Sequence, residues 1–570
     1  WYLISLGMGA TGLMQPWILL PLLFLAAVGW LWHGRRGDPW TLWKNTLCRH
    51  ASFLIILSLL MLFFLAPVWC PPIGWDALTY HLTLPERWMH DGFPAVYMDL
   101  PYSGFPSAGE FIYWLLIRLG DSRTPGMFIW LIFLLIGLHV YGRLEKHCGR
   151  WFSAAGAFAV LLAPVSLMLL KNTYVEPLLL LNILAGIELN ERNMAAKWPA
   201  NLLWGILLGS CGALKLNGVI AAGGLLMLSP VVEPCTWQER GHRAVIIGGI
   251  AVLSLFPFYL RPWVATGNPF FPFFASWFGQ DNAFCLSSEF HHQLAQGKYG
   301  LQALSGWLAG ILLLAWRGDL YDSCFGWPWL ILLALALPGA VIALRRGNYN
   351  TLRLYGMLLV FYLGWGFTAQ QARFLLPAMV LLLFGAIPVL RELPIRWRPV
   401  LAIVLLAGTL SALPIPLRHA MLCWRFLTGD RVTLEDYIYS GTGPGYLAAA
   451  EMTAVKTPPD ARIALLFDHR TLYIPRHAIL ATPYFQPCYF TPLPTDSTQM
   501  EQLIRQAGFS HLLLGDSSKN PDRPKIYYEW MGTMLLYLNE MTESGRAELL
   551  WQGEGYFLFR ILSTPAPARK

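Results

Sequence analysis

Apolar segments of nearly membrane-spanning length recur along this chain and leave few folds open to it. A spanning helix needs about 20 mostly apolar residues. Because the chain does not begin with Met, we interpret its first dozen residues as the end of a further, truncated span. The sequence therefore predicts an α-helical membrane protein with about twelve spans, at 17–33, 51–69, 126–141, 152–170, 177–190, 199–214, 218–232, 244–260, 327–344, 353–369, 374–390 and 399–416.

The composition agrees with this class of protein. Charged residues make up 13% of the chain and hydrophobic residues 56%, whereas a soluble domain carries about 25% charged residues. This balance excludes a disordered chain and an ordinary set of soluble domains. The net charge of +8 is explained by basic cytoplasmic loops, so no nucleic-acid partner is expected. The nine Cys show neither a CxxC pair nor zinc spacing, which argues against a structural metal.

Basic residues indicate the orientation of the spans, because Lys and Arg collect in cytoplasmic loops. All the main basic clusters can be cytoplasmic if the second span runs outward. We place the apolar run 303–316 flat on the outer surface, since a span there would break the alternation. The stretches left outside are 70–125, 171–176, 215–217, 261–326, 370–373 and everything after about 417.

The tail at 417–570 differs from the membrane part at 1–416 in having more charge and no long apolar runs. We predict that it is a small α/β domain on the outer face. Its predicted strands are 463–467, 511–514 and a hairpin of 549–551 with 556–562, and its predicted helices lie near 443–455, 498–507 and 525–541. In an oxidising compartment Cys423 and Cys488 could pair.

The first outer loop contains the sequence Trp75-Asp76-Ala77-Leu78-Thr79-Tyr80-His81, just past the outward end of a span. Asp76 could be a helix N-cap, because Pro and Gly precede it and a helical run follows. On a helix Asp76 and Tyr80 share a face, with His81 adjacent. A carboxylate, a phenol and an imidazole at the boundary of water and lipid suit general-base catalysis.

Later in this loop, Glu110 has a structural explanation that competes with a catalytic one. Ser107-Ala108-Gly109-Glu110 fits a capping box, and so does Thr83-Leu84-Pro85-Glu86. In that motif the Glu at the third helical position bonds back to the cap residue. A lone His81 could likewise be a hydrogen-bonded structural histidine.

Four basic residues run against the charge bias, because the topology puts them outside: Lys171, Lys215, Arg261 and Arg373. They could be anchors that snorkel to the interface. They could instead bind a phosphate, since Arg offers a planar fork and Lys a compact charge. Their common membrane face favours the phosphate site. The polar residues Glu176, Asn268, Gln370 and Gln371 lie close to them in the sequence.

These segments resemble the GT-C glycosyltransferases, in particular the protein-mannosyltransferase-like and aminoarabinose-transferase-like branch. The resemblance lies in three motifs that follow in order over most of the membrane part. They are Asp76-Ala77-Leu78-Thr79-Tyr80-His81-Leu82 with Gly109-Glu110, then Thr266-Gly267-Asn268-Pro269, then Gln371-Ala372-Arg373-Phe374-Leu375-Leu376-Pro377.

The resemblance implies that a sugar is transferred, with inversion, from a polyprenyl phosphate to a lipid, glycan or protein acceptor at the outer face of a bacterial inner membrane. Asp76 would be the general base and Arg373 a phosphate ligand. Several members have two acidic residues where this chain has Trp75 and Asp76, so Glu110 or Glu176 could be the second carboxylate. No metal and no cofactor are expected. The candidate catalytic residues are Asp76, His81 and Glu110, and the candidate substrate-binding residues are Tyr80, Lys171, Glu176, Arg261, Asn268, Gln370, Gln371 and Arg373.

Two other kinds of function use the same features. A transporter or flippase of lipid-linked sugars would use a basic outer groove without a positioned base, and broken helices at mid-membrane would favour it. A ligase of lipid-linked glycans is compatible with the outer domain. The polar residues predicted here sit at span ends, which favours the transferase.

Overall fold

The structure is a computed structural model that describes nine stretches of the chain. The expected first span at 17–33, the first dozen residues and Cys488 lie outside them. The described residues are 39–191, 198–233, 235–279, 304–368, 370–443, 445–482, 489–490, 492–515 and 525–562.

The membrane part is built from helices. A π-helical turn, Ala77–His81, and four short 3-10 turns at Pro101–Gly104, Pro230–Val232, Ala275–Phe278 and Ala372–Leu375 interrupt them. The described α-helices of this part are Pro39–Phe63, Leu65–Trp69, Thr83–Asp91, Ala108–Leu119, Thr124–Cys148, Arg150–Leu161, Pro164–Lys171, Glu176–Glu191, Trp198–Leu214, Gly218–Leu226, Trp237–Thr266, Leu304–Leu313, Gly318–Tyr321, Pro328–Arg345, Tyr349–Phe367, Leu376–Gly385, Ile387–Glu392, Trp397–Ser411 and Pro414–Thr428.

Five helical segments in the described part of the chain are long and apolar enough to cross a membrane, and two bent pairs raise this number to seven if each pair is one span. Pro164 and Pro414 open the second helices of the bent pairs, which turn by 53° and 58°. Proline lacks the N–H that would continue the preceding helix. The chain is thus an integral membrane protein, but helix length does not establish twelve spans. The five segments are His50–Trp69, Thr124–Cys148, Trp237–Thr266, Pro328–Arg345 and Ala372–Glu392.

The segment His50–Trp69 has one face buried against the other helices and one exposed face. Leu57 and Met61 are buried against the other helices, whereas Ile55 and Leu59 are 58% and 62% exposed. Residues four apart lie on one face of a helix. An exposed apolar stripe is unfavourable in water and suits contact with lipid chains. The segment Ala372–Glu392, by contrast, is buried inside the protein along most of its length.

The C-terminal part carries a five-stranded sheet, β1 (Arg462–Leu466), β2 (His477–Leu480), β3 (His511–Gly515), β4 (Ala547–Gly553) and β5 (Tyr556–Ile561), in the order β2-β1-β3-β5-β4. β1 runs parallel to β2 and β3, and β5 runs antiparallel to β3 and β4. The predicted strands and hairpin are confirmed, and β2 was not predicted. Residue 417 falls inside the helix Pro414–Thr428. The remaining helices are Leu434–Thr442, Tyr446–Lys456, Ser497–Gln506 and Lys525–Glu543.

The sheet and the loop that follows the span His50–Trp69 share one hydrophobic core. Arg87 reinforces the contact, because its Nη2 donates to the Ala478 carbonyl at 3.0 Å. The sheet therefore supports the loop that holds the candidate site. Members of this core are Leu78, Leu84, Trp88, Phe111 and Trp114 from the loop side and Ile463, Leu465, Leu480, Leu513 and Leu558 from the sheet.

Candidate active site

The chain leaves the span His50–Trp69 through Cys70-Pro71-Pro72-Ile73-Gly74. Two prolines stop the helix, and Cys70 already has an extended backbone. Gly74 is required by close packing, because a Cβ there would lie 2.6 Å from the side chain of Asn172. The next residues form the π turn Ala77–His81, and such turns are frequent at functional sites.

Asp76 precedes this turn, but its side chain makes no capping hydrogen bond, so the capping interpretation is wrong. Its carboxylate accepts hydrogen bonds from the Tyr80 hydroxyl at 3.2 Å and from Arg373 Nη1 at 2.7 Å. The backbone N–H of Asp76 donates to the Tyr174 hydroxyl at 3.3 Å. The carboxylate is thus held by two side chains, Tyr80 and Arg373, and the spacing of Tyr80 predicted its position beside Asp76.

Asp76 belongs to a charged cluster of four residues, Asp76, Glu176, Lys215 and Arg373. Lys215 Nζ donates to Glu176 Oε1 at 2.7 Å, and Arg373 Nε lies 3.5 Å from the same oxygen. The two carboxylates and two cations thus alternate. The sequence indicated a common membrane face for Lys215 and Arg373, and the structure brings both to one site.

The charged cluster determines the ionisation of Asp76. Burial alone would raise the pKa of its carboxyl, since the charged form loses hydration. The charges of Arg373, His81 and Lys215 and the hydrogen bond from Arg373 outweigh burial and hold the pKa below its ordinary value. Asp76 is therefore ionised at neutral pH, which is the form that accepts a proton.

A cavity opens beside the charged cluster. Its polar end is formed by Glu176, Lys215 and Arg373, and Asn217 and Thr368 also face it. The rest of its wall is apolar and aromatic. It is lined by Leu179, Ile220, Phe361, Trp365, Phe374 and Pro377.

His81 and Glu110 form a buried pair next to Asp76. His81 Nδ1 lies 2.5 Å from Glu110 Oε1, and both side chains are at most 4% exposed. The capping box predicted for Ser107 and Glu110 is wrong, because Ser107 makes no side-chain cap and its Oγ accepts from Arg261 instead. Buried carboxylates need a partner, and His81 supplies it.

Arg261 and Asn268, both expected to bind substrate, shape the backbone around the site. Arg261 Nη2 donates to the carbonyls of Ser103 and Phe105 and to Ser107 Oγ. Asn268 Oδ1 accepts from the Phe270 N–H at 2.8 Å, and its Nδ2 donates to the Phe273 carbonyl at 2.7 Å. Within the described residues, the hydrogen bonds of these two side chains stabilise the backbone of loops and not the charged cluster.

The two glutamines before Arg373 differ in their contacts. Gln371 orients the guanidinium, since its Oε1 accepts from Arg373 Nε at 2.9 Å while its Nε2 donates to Asp322 at 2.5 Å. Gln370 Nε2 donates to the Gly366 carbonyl at 3.2 Å.

Lys171, expected with Arg373 at a phosphate site, belongs to different surroundings. It ends the helix Pro164–Lys171, and within the part of the chain that the structure describes no hydrogen bond or ion pair joins it to the charged cluster. The structure therefore does not bring Lys171 into the charged cluster.

A contact that the sequence did not reveal joins the site to the sheet. The Arg470 guanidinium lies 4.3 Å from the centre of the Tyr446 ring and 4.8 Å from the centre of the Trp75 ring, within reach of cation–π contact with both. The N–H groups of Thr471 and Leu472 donate to the Leu78 carbonyl at 3.2 and 3.3 Å. Residues of the segment that follows β1 thus contact the chain before and after Asp76, at Trp75 and at Leu78.

Arg470 is itself fixed by a buried ion pair. Its Nε and Nη2 donate to the two oxygens of Asp468 at 3.0 and 2.7 Å, and the Tyr556 hydroxyl donates to the same carboxylate at 2.5 Å. Burial would raise the pKa of the Asp468 carboxyl, but the Arg470 charge outweighs burial and lowers it.

Replacing Arg470 by Met is expected to weaken the sheet by about 3–5 kcal/mol, because a buried carboxylate loses its partner. Hydrogen exchange of the β1 and β3 amides in the full chain measures this loss. The matched control is Arg462→Met, an exposed arginine at the start of β1, for which a change within about 0.5 kcal/mol is expected. Equal protection in both variants would show that the pair at Asp468 is dispensable.

The helices, the loop after the span His50–Trp69 and the sheet packed against it have the same fold as solved structures of ArnT, the aminoarabinose transferase of Cupriavidus metallidurans. ArnT bound to undecaprenyl phosphate matches with a TM-score of 0.53 and 10% identity over 91% of this chain and 99% of ArnT. Apo ArnT gives 0.55 and 11% over 92% and 100%. The resemblance predicted from the sequence is confirmed for the fold.

Other comparisons add little. The oligosaccharyltransferase of Archaeoglobus fulgidus gives a TM-score of 0.48 and 12% identity over 89% of this chain and 73% of that protein. No protein-family model and no curated protein matches the chain.

Proposed function

We propose that this protein is a glycosyltransferase that moves one sugar from a polyprenyl phosphate to an acceptor hydroxyl, with inversion at the anomeric carbon. The observation that carries this proposal is the 2.7 Å contact between the Asp76 carboxylate and the Arg373 guanidinium, beside a cavity with apolar walls. A group that accepts a proton and a group that binds phosphate are thereby adjacent.

In the proposed reaction the acceptor oxygen attacks the anomeric carbon and the bond from that carbon to the phosphate oxygen breaks. Asp76 takes the proton of the acceptor hydroxyl, a contribution of about 10²–10⁴-fold. Arg373 and Lys215 stabilise the charge that grows on the leaving phosphate. Because attack and departure occur on opposite sides of the carbon, the configuration inverts.

The distance between the two key groups differs from the expectation. A general base and a phosphate ligand on opposite sides of a donor sugar would stand about one sugar-phosphate apart, whereas Arg373 and Asp76 touch. Within the described residues, Arg373 Nε and Nη1 have hydrogen-bond acceptors and Nη2 has none. We propose that Nη2 binds the donor phosphate. The phosphate would draw the guanidinium from Asp76 and so raise the basicity of the carboxylate.

The cavity suits a lipid-linked donor. Its polar end contains Lys215 and Arg373, whose charges match a phosphate. Its remaining walls, including Ile220, Phe361 and Trp365, suit an isoprenoid chain. ArnT, which shares the fold, has been solved with undecaprenyl phosphate. These observations support a polyprenyl phosphate donor.

A transfer assay tests the proposal directly. Membranes from cells that produce the protein are incubated with a panel of radiolabelled polyprenyl-phosphate monosaccharides, and label is followed into lipid, glycan and protein fractions. We expect label to move from one donor into one fraction. Movement of intact donor across the bilayer without new glycosidic bonds would instead identify a flippase.

We further propose about twelve spans in a bacterial inner membrane, with the charged cluster and the sheet outside. Green fluorescent protein fused after Lys570 is then expected to stay dark, because it does not fold after export, and alkaline phosphatase fused there to be active. A fusion after Gly149, between the helices Thr124–Cys148 and Arg150–Leu161 on the side expected to be cytoplasmic, is the control and should give the reverse pattern. Fluorescence from the Lys570 fusion would overturn this orientation.

A further inference from the structure

Two buried cysteines lie next to each other outside the charged cluster. Cys70 follows the helix Leu65–Trp69, and Cys423 lies in the helix Pro414–Thr428. Cys70 Sγ is 3.8 Å from the Cys423 carbonyl oxygen. They are 353 residues apart in the chain, so only the fold brings them together.

The surroundings keep these thiols in place. Cys70 is 3% exposed and Cys423 is fully buried, in one hydrophobic cluster with Ile73 and Tyr437. His419 Nε2 lies 3.6 Å from Cys423 Sγ. A disulfide needs two cysteines that already lie close together in the fold, and the contact of the Cys70 thiol with the Cys423 backbone places these two residues side by side.

We propose that Cys70 and Cys423 form a disulfide bond in the mature protein. The proposal rests on the orientation proposed above, because disulfides persist in oxidising compartments outside the cytoplasm. The two thiols lose two protons and two electrons as the S–S bond forms. The electrons are accepted by a thiol oxidase that acts on exported proteins, and the disulfide of that oxidase is reduced to two thiols. His419 is placed to accept the proton of Cys423.

The bond would act on the candidate active site through the chain. Cys70 stands six residues before Asp76, and the Tyr437 hydroxyl donates to the intervening Pro71 carbonyl at 3.1 Å. The disulfide would therefore fix the start of the loop that carries Asp76 to the helix that leads into the C-terminal part. It would also exclude the pairing of Cys423 with Cys488 suggested by the sequence.

Peptide mapping of the full-length protein tests this assignment without any transfer assay. Cells are lysed in N-ethylmaleimide and denaturant to trap free thiols, and the protein is purified in detergent and digested without reduction. We expect the Cys70 and Cys423 peptides joined, two hydrogens lighter than their sum. Cys211, equally buried in the helix Trp198–Leu214, should carry the maleimide. Cys70→Ser should abolish the joined peptide, and Cys211→Ser should preserve it.

Three results would overturn the proposal. Maleimide on both Cys70 and Cys423, with no bridge even after oxidised glutathione is added to the folded protein, would show that the geometry is unsuitable. In a second result, both cysteines carry maleimide when trapped in cells, but a bridge forms when oxidised glutathione is added to the folded protein. This result would place the pair in a reducing compartment, and it would also overturn the proposed orientation of the chain in the membrane. A Cys423 peptide joined to Cys488 would identify the other pairing. None of these results depends on whether the protein transfers a sugar.

Discussion

Replacing Asp76 by Asn is expected to abolish sugar transfer and to leave the protein folded and able to bind its donor. Loss of a general base costs about 10²–10⁴-fold in rate. Asn has the shape of Asp, and its amide oxygen can still accept the hydrogen bonds that Tyr80 and Arg373 give to Asp76. The initial rate with a radiolabelled donor, the binding of that donor and the thermal midpoint are measured on the same preparation.

Asp99 provides a matched control for this experiment. It lies in the same loop and pairs with Arg87 at 2.7 Å, and its side chain is 14% exposed against 18% for Asp76. Asp99→Asn should therefore disturb an equivalent ion pair without loss of turnover. If Asp76→Asn also kept a rate near that of the wild type, Asp76 would be only the counter-ion of Arg373 and the proposed mechanism would be wrong.

The fold could largely be predicted from local sequence patterns. Apolar run length identifies the membrane class, because the bilayer fixes the length of a span. The short apolar runs at 463–467 and 511–514 indicated the central strands, which the structure places at β1 and β3. The strand β2 was missed because four residues after Pro475 are too few to show a periodic pattern.

The candidate site could be predicted only in part, because its partners are distant in the sequence. Local patterns suggested that Asp76 and Glu110 cap helices, but each of these side chains instead bonds to a side chain in another part of the chain. Asp76 pairs with Arg373, 297 residues away, and Glu110 with His81, 29 residues away. The preference of basic residues for cytoplasmic loops marked Arg373 and Lys215 as exceptions, but it marked Lys171 equally and could not show which of them lie at one site. The Trp75–Arg470 contact has no sequence signal, since it depends on how the sheet packs.

Arg373→Lys is expected to weaken binding of the donor phosphate by about 1.5–3 kcal/mol, or roughly 10- to 150-fold in Kd. Lysine retains the charge but loses the planar fork. In the native protein that fork serves Asp76 and Gln371 at the same time, and the rings of Tyr174 and Phe374 lie 4.8 and 5.1 Å from it. A lysine can replace one of these contacts at a time.

Binding of undecaprenyl phosphate to the detergent-solubilised protein measures this effect, and the thermal midpoint checks the fold. Lys is preferred to Ala because it keeps the positive charge. Without that charge, Lys215 would be the remaining cation of the charged cluster for the two carboxylates of Asp76 and Glu176. An unpaired buried carboxylate costs about 3–5 kcal/mol. The control is Arg123→Lys, an exposed Arg that pairs with Asp121 at 2.6 Å and stacks on Trp69 at the end of the span His50–Trp69. Unchanged Kd in Arg373→Lys together with a lowered thermal midpoint would assign Arg373 to structure alone. The phosphate would then have to bind at Lys215, which already neutralises Glu176, and the loss of affinity should follow Lys215→Gln instead.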